Sequence, residues 1–380
     1  MVADHPPTPP TPPPDLTQRQ PLQVAVHASL EAVADDWQRL ADATGAAPFL
    51  RPGWFAAWWA AFGTGRPELL ALRRPGGSLA ALLALRRRLG RVLSCTNWHS
   101  PQYGMVAADP AAAAALAATL FQDHPFEVSL GFVDGAAPEL GLYRAAAAAA
   151  GYRVLERTMQ RSPYLDTAGT WDDFARERLS RNRRSQLGRH RRRLEREGRV
   201  ELEVADGRER LEEVLEEAFR IEASGWKGEH GTAIASRPDT RRFYRDVARW
   251  AAGEGWLRIA FLRLDGRAVA MMFLLETDRI LYYLKGGYDP AFERHSPGMV
   301  LLASVIEDAF GREVDRVELL GGDERYKLAF TSDLHDRLRF QAFAASAPGL
   351  LSWGAFSYGR PAARGALTVA RRVAGRSPNR

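Results

Sequence analysis

Three apolar strands in direct succession, Trp256–Leu264, Ala268–Glu276 and Arg279–Lys285, constrain this chain more than any other feature. Asp265-Gly266 and Thr277-Asp278 join them, and connections this short close antiparallel hairpins only. The third strand, Ile280-Leu281-Tyr282-Tyr283-Leu284-Lys285, breaks at Gly286-Gly287, and an apolar helix then starts at Ser296-Pro297-Gly298 and runs to Phe310. A meander therefore feeds a strand, a loop and a helix N-terminus. The first turn of a helix presents unpaired N–H groups and a positive dipole end, which suits the diphosphate of a nucleotide-like cofactor. Gly298 leaves room for a phosphate, Pro297 sits where a missing N–H matters least, and no acid occupies the turn.

The same layout occurs once more upstream. A strand near Val24, helices over Leu30–Ala43 and Pro52–Phe62, a hairpin of Leu69–Leu72 and Leu79–Leu85 around Pro75-Gly76-Gly77-Ser78, and strands at Tyr103–Val106, Phe126–Phe132 and Tyr152–Thr158 make the first pass. Trp54, Phe55, Trp58, Trp59 and Phe62 recur at helical spacing and read as core or domain interface. Helices Arg208–Ala223 and Asp239–Ala252 precede the meander in the second pass. The chain's 380 residues exceed what one core usually organises. The expected division is a disordered Pro/Thr-rich leader over 1–21, one domain over 22–165, a second over 166–346 and a basic tail over 347–380.

A chain that is 46% hydrophobic and 26% charged buries a core without staples. Its one cysteine, Cys95, excludes an intramolecular disulfide framework. Cys95 and His99 are four residues apart, but free cysteine usually serves as a small buried hydrophobe rather than a nucleophile. No histidine pair has metal-ligand spacing, so no metal is expected. Neither a secretory signal nor a membrane-spanning stretch is legible, and the cytoplasm is the expected location.

The net charge of +6 is concentrated: Arg176–Arg199 holds eleven Arg against three Glu, so the remainder of the chain sums to −2. One long helix over Trp171–Glu197, with Leu179, Leu187 and Leu194 as a narrow apolar stripe, is the expectation. The favoured reading is a solvated connector, with phosphate binding as the sharper alternative. Aromatic residues for stacking on bases are missing between Phe174 and Phe219, so a nucleic-acid partner is not expected.

Four motifs then occur in order: Glu222-x-x-Gly225-Trp226-Lys227-Gly228, Lys285-x-x-Tyr288-Asp289, Ser296-Pro297-Gly298 and Gly322-Asp323-Glu324-x-Tyr326-Lys327. This set resembles the BioF-like, CelD-type acetyltransferases of the GNAT superfamily, which are related to the Fem-type aminoacyltransferases and often accompany polysaccharide biosynthesis. The resemblance implies an α/β (α+β) fold of two tandem GNAT-like domains, each a mixed, mostly antiparallel sheet flanked by helices. It also implies acetyl-CoA or another acyl-CoA as donor, with the active half downstream of residue 166. Gly286, Gly287, Tyr288, Ser296, Gly298 and Met299 are the expected cofactor-binding residues. The expected activity is acyl transfer to an amine or hydroxyl of a small molecule or glycan precursor. A Fem-like transfer from aminoacyl-tRNA and a non-catalytic binding protein are the alternatives.

Glu222 stands out independently. Leu211, Leu215 and Ala218 define an inward helix face, and Glu222 continues it where another apolar residue belongs. It is read as a general base, against the plainer role of capping a loop. Asp323 competes for that role, Tyr326 is the expected proton donor to the departing thiolate, and Trp226, Lys227, Lys285 and Lys327 are expected to contact the acceptor. Backbone N–H groups around Gly286 and Gly287 are the expected oxyanion donors. In the first domain, Asp109-Pro110 opens the helix that corresponds to the cradle, and an aspartate there occupies the N–H groups itself.

Overall fold

The computed structural model describes residues 22–224 and 234–359. In the first half, β1 (Gln23–His27), α1 (Ala34–Ala43) and α2 (Pro52–Phe62) lead into β2 (Arg66–Arg73), β3 (Leu79–Arg88) and β4 (Arg91–Ser94). The short β5 (Val106–Ala107), α3 (Pro110–Thr119), β6 (Glu127–Asp134), α4 (Pro138–Ala149) and the long β7 (Arg153–Asp166) complete it. The second half contains α5 (Trp171–Arg178), α6 (Arg181–Glu195), β8 (Val200–Ala205), α7 (Leu211–Ala223) and α8 (Pro238–Gly253). It continues with β9 (Leu257–Leu264), β10 (Arg267–Thr277), β11 (Ile280–Tyr288), α9 (Pro297–Gly311), β12 (Arg316–Glu318), β13 (Leu334–Phe343) and α10 (Ala347–Gly354).

The thirteen strands among the described residues join one mixed, mostly antiparallel sheet in the order β1-β2-β3-β4-β6-β13-β7-β12-β11-β10-β9-β8, with β5 beside β3. The meander β9-β10-β11 is antiparallel, and its turns place Asp265, Gly266, Asp278 and Arg279 at positive φ, as mirror-image hairpin turns require. Each half also has one parallel pair built around a crossover helix. In the first, β4 pairs with β6 around α3; in the second, β11 pairs with β12 around α9.

The centre of the sheet exchanges strands between the halves. β13, from the second half, lies between β6 and β7 of the first, while β7 lies between β13 and β12. Each half thus completes the other's sheet, and a boundary after residue 165 separates strands that are paired. The core is shared as well. Trp54 of α2 packs edge-on against Phe243 of α8 at 5.1 Å between ring centroids, and Phe62 meets the same ring at 5.3 Å. A side chain at Gly53 would collide with the Trp250 indole, so the glycine sets how closely α2 and α8 approach.

Several local expectations change. The long basic helix is two helices, because Leu179 turns extended and buries its side chain, and the Ser180 hydroxyl accepts from Arg183 N–H to start α6. Tyr103–Val106 is not a full strand: Tyr103 makes one isolated bridge to Val133, and pairing resumes only at Val106. β4, β8 and β13 were not foreseen. β8 alternates Val200, Leu202 and Val204 with Glu201 and Glu203, and β13 alternates Leu338, Phe340 and Ala342 with Arg339 and Gln341, whereas the four residues of β4 show no such pattern.

Candidate active site

β11 and β12 run parallel for three residue pairs, the last being Tyr282 with Glu318. Beyond that point β12 ends, while β11 continues to Tyr288 along β10, with Gly286 opposite Met272 and Gly287 opposite Met271. The edge of β11 from Tyr283 onward therefore opens into a cavity of about 710 Å³. Ser296, Gly298 and Met299, at the N-terminus of α9, line the same cavity. Ser296 has φ of 50° and makes no side-chain cap, and the first turn of α9 contains no acid. At the corresponding start of α3, Asp109 accepts from Ala112 N–H at 2.8 Å and pairs with Arg74 at 2.7 Å. That N–H bond, more than the guanidinium, lowers the Asp109 carboxyl below its ordinary range. One helix start is closed by its own residue and the other is open.

The three glycines of the expected cofactor set differ in what they make room for. A methyl group on Gly287 would sit 2.5 Å from the Cα of Glu222, and one on Gly286 would overlap the Tyr283 hydroxyl. Both positions are reserved for protein packing. At Gly298 a methyl group would only touch Tyr288 Cδ1 at 3.4 Å, an ordinary contact. Protein packing does not demand glycine there, so the space in front of α9 stays open into the cavity.

Glu222 is 1% exposed on the inward face of α7 formed with Leu215, Ala218 and Phe219. Its Oε2 accepts from Ile234 N–H at 2.7 Å, and the side chain also borders the cavity. Loop capping and a place at the site thus coexist in one residue. The nearby Glu222 carboxylate adds to burial in holding the Tyr244 hydroxyl protonated far above its ordinary range. Burial pushes Tyr283 up to about 12, and burial followed by Tyr283 holds Tyr326 protonated as well, with the two hydroxyls hydrogen-bonded. Lys285 lies 5.9 Å from the centroid of the Tyr244 ring. The buried Lys327 donates to Leu320 O at 2.7 Å and pairs with Glu324 at 2.8 Å.

The cavity brings together Glu222, Lys285, Gly286, Gly287, Tyr288, Ser296, Gly298, Met299, Tyr326 and Lys327. Asp323 is not among its lining residues: its carboxylate pairs with Arg161 of β7 at 2.5 Å. Trp226 and Lys227 lie outside the described residues.

The first half supplies a wall that the sequence reading missed. Trp98, His99, Ser100 and Pro101, after β4, and Gln160, on β7, line the cavity. The His99 ring stacks on Phe62 at 5.5 Å, meets Tyr244 edge-on, and places Nδ1 3.4 Å from the Tyr244 hydroxyl. Burial, followed by the Lys285 charge, lowers His99 to about 4. Cys95 instead packs in the core, where burial raises its thiol and keeps it protonated. Glu324, Tyr283 and Tyr244 were also missed. Glu324 stood within the fourth motif, and the density of aromatic and polar residues around Cys95–Tyr103 was the signal for the wall of the first half.

Residues 181–328 match the sequence model described as the acetyltransferase (GNAT) domain. No curated protein matches the chain in sequence. Among solved structures, FemX is similar with a TM-score of 0.57 at 11% identity, covering 84% of this chain and 96% of that one. The C-terminal domain of a putative lysylphosphatidylglycerol synthetase from Agrobacterium fabrum gives 0.54 at 13% identity, covering 86% and 95%. A conserved protein of unknown function from Bacteroides thetaiotaomicron gives 0.51 at 12% identity, covering 85% and 100%. These likenesses show that the overall fold is shared with those structures, and the domain match supports an acyltransferase domain of the GNAT type over residues 181–328.

Proposed function

We propose that this protein transfers an acyl group, in the first instance acetyl, from acyl-CoA to an amine or hydroxyl of a small molecule or glycan precursor. The observation that carries this reading is the opening between β11 and β12 above the uncapped start of α9, with Glu222 bordering the same cavity. Within the superfamily, the four ordered motifs favour the CelD-type branch. The thioester supplies the activated acyl group, and the residues around it have to bind, orient and move a proton.

The N–H groups in the first turn of α9 fit a diphosphate, since neither a side-chain cap nor an acid competes for them. The edge of β11 that β12 leaves after Tyr282 can pair with the amides of an extended pantetheine arm much as an added strand would. Glu222, buried beside this edge, is positioned to take a proton from the acceptor. Tyr326, on the cavity lining with its hydroxyl protonated, can donate a hydrogen bond to the departing sulfur. Asp323 is the second candidate, because it does not line the cavity and its carboxylate pairs with Arg161.

The first half closes the acceptor side with Trp98 and His99, since clefts between domains commonly take ligands. It binds no donor of its own, because Asp109 fills its cradle. Acetyl-CoA should raise the melting temperature of the wild type and leave a Gly298→Asp variant unmoved. An aminoacyl-tRNA that stabilises the chain while acetyl-CoA does not would replace this reading with the Fem-like one.

A further inference from the structure

We infer that the outer face of α6 is a docking surface for the phosphodiester backbone of a nucleic-acid duplex. α6 packs on α9, where α4 packs on α3 in the first half. Leu187, His190 and Leu194 turn inward toward that contact. Arg181, Arg189, Arg192 and Arg196 recur at spacings that share one face, and all four are exposed. The fifteen-residue helix spreads this stripe over about 22 Å.

Many arginines elsewhere in the protein meet acids, although Arg86, Arg153 and Arg157 use a hydroxyl, a ring or a carbonyl instead. Across the α7–α8 contact, Arg241, Arg245 and Arg249 are each paired with Glu212 or Glu216. On α6, Arg191 pairs with Glu195 and Glu307. Among the described residues no carboxylate lies within ion-pair distance of Arg181, Arg183, Arg184, Arg189, Arg192, Arg193 or Arg196. Arg184 has a structural use, donating to the carbonyls of Ala175, Arg176 and Leu179 to close the end of α5. Arg189, Arg192, Arg193 and Arg196 instead repel one another at three- and four-residue spacing. A solvated connector helix is normally stabilised by pairs of opposite charge at those spacings, and α6 has one such pair.

The partner that offsets this repulsion is a polyanion. Without aromatic residues on α6, stacking on single-stranded bases is not available, whereas phosphate contacts to a duplex need charge alone. The apolar side chains of α6 are turned inward, so the helix has nothing to insert into a bilayer, and a basic patch by itself is only one of the two signals that stable lipid anchoring takes. A duplex also offers a denser line of charge, about one phosphate per 1.7 Å.

The test is fluorescence anisotropy of a labelled duplex of about 20 base pairs, as DNA and as RNA, titrated with the full chain at salt from about 50 to 200 mM. Both duplexes should bind with affinity that falls steeply as salt rises. In the triple variant Arg189→Gln, Arg192→Gln, Arg196→Gln, the log–log salt slope should become shallower by about 0.9 for each arginine removed. Acetyl-CoA binding should stay unchanged in that variant, which separates this surface from the donor site and shows that the fold persists. The wild-type titration is a test by itself, since no duplex binding at about 50 mM salt overturns the inference. A salt slope unaffected by the triple variant, or retention by phosphatidylglycerol vesicles without duplex binding, overturns it equally.

Discussion

Gly287 of β11 and Glu222 of α7 are in such close apposition that a single methyl group on the glycine would lie 2.5 Å from the Glu222 Cα. The strand that opens the cavity thereby fixes the helix that carries its buried carboxylate. Gly287→Ala should destabilise the protein by roughly 1–3 kcal/mol, the usual cost of overpacking, and displace Glu222. Gly298→Ala meets only an ordinary contact and should cost far less. Thermal denaturation of the two variants measures the contrast, and equal losses would show that α7 yields freely.

Replacing the carboxylate without changing its shape isolates its chemistry. Glu222→Gln keeps an oxygen that can accept from Ile234 N–H, so acetyl-CoA affinity and folding should stay near wild type. Turnover with an identified acceptor should fall roughly a hundredfold or more. Asp323→Asn should leave turnover within a few-fold, because Asp323 is spent on Arg161. Steady-state kinetics of both variants decide which carboxylate acts, and the reverse ranking would assign the base to Asp323.

Donor stoichiometry follows from the two helix starts. Calorimetry should give one acetyl-CoA per chain, and Gly298→Asp should abolish the heat. Asp109→Ala should lose about 1 kcal/mol of stability with its cap. A second equivalent of acetyl-CoA bound by the wild type would contradict the asymmetry between α3 and α9.

His99 gives stability a pH dependence of defined sign. Its folded pKa, lowered to about 4, lies below the ordinary value of 6.5, so between those values the unfolded chain binds a proton that the folded one refuses. Stability should therefore fall as pH drops from 6.5 toward 4, by up to about 3 kcal/mol from this residue. Denaturant titrations of wild type and His99→Gln across that window should show a shallower loss in the variant. Parallel curves would mean that His99 titrates normally.

The exchanged strands predict cooperativity across the whole chain. Without β13, the edges of β6 and β7 that it joins are left unpaired. A chain ending at residue 333 should not yield a folded first half, and residues 22–165 alone should be proteolysed rapidly. Circular dichroism and limited proteolysis of these truncations are sufficient. An independently folded 22–165 fragment would show that the exchange is dispensable.

The sequence by itself determined the local pieces whose signals are local. Continuous apolar runs with two-residue turns marked β9, β10 and β11, proline and serine fixed the starts of α2 and α9, and Asp109 announced its own cap. Glu222 was legible because a charge interrupts an apolar face. Strand partners and the far wall of the cavity were decided only by the tertiary structure. β13 could be placed between β6 and β7 only by the register it finds with both, and no residue within β13 encodes that neighbour. Trp98, His99 and Gln160 reach the site because the two halves share one sheet and one aromatic core. Asp323, which looked as able as Glu222, was removed from the cavity by an arginine 162 residues away in sequence. Periodicity and capping act over a few residues and can be read along the chain. Long-range pairing depends on which surfaces bury each other, and that is settled only when the whole chain has folded.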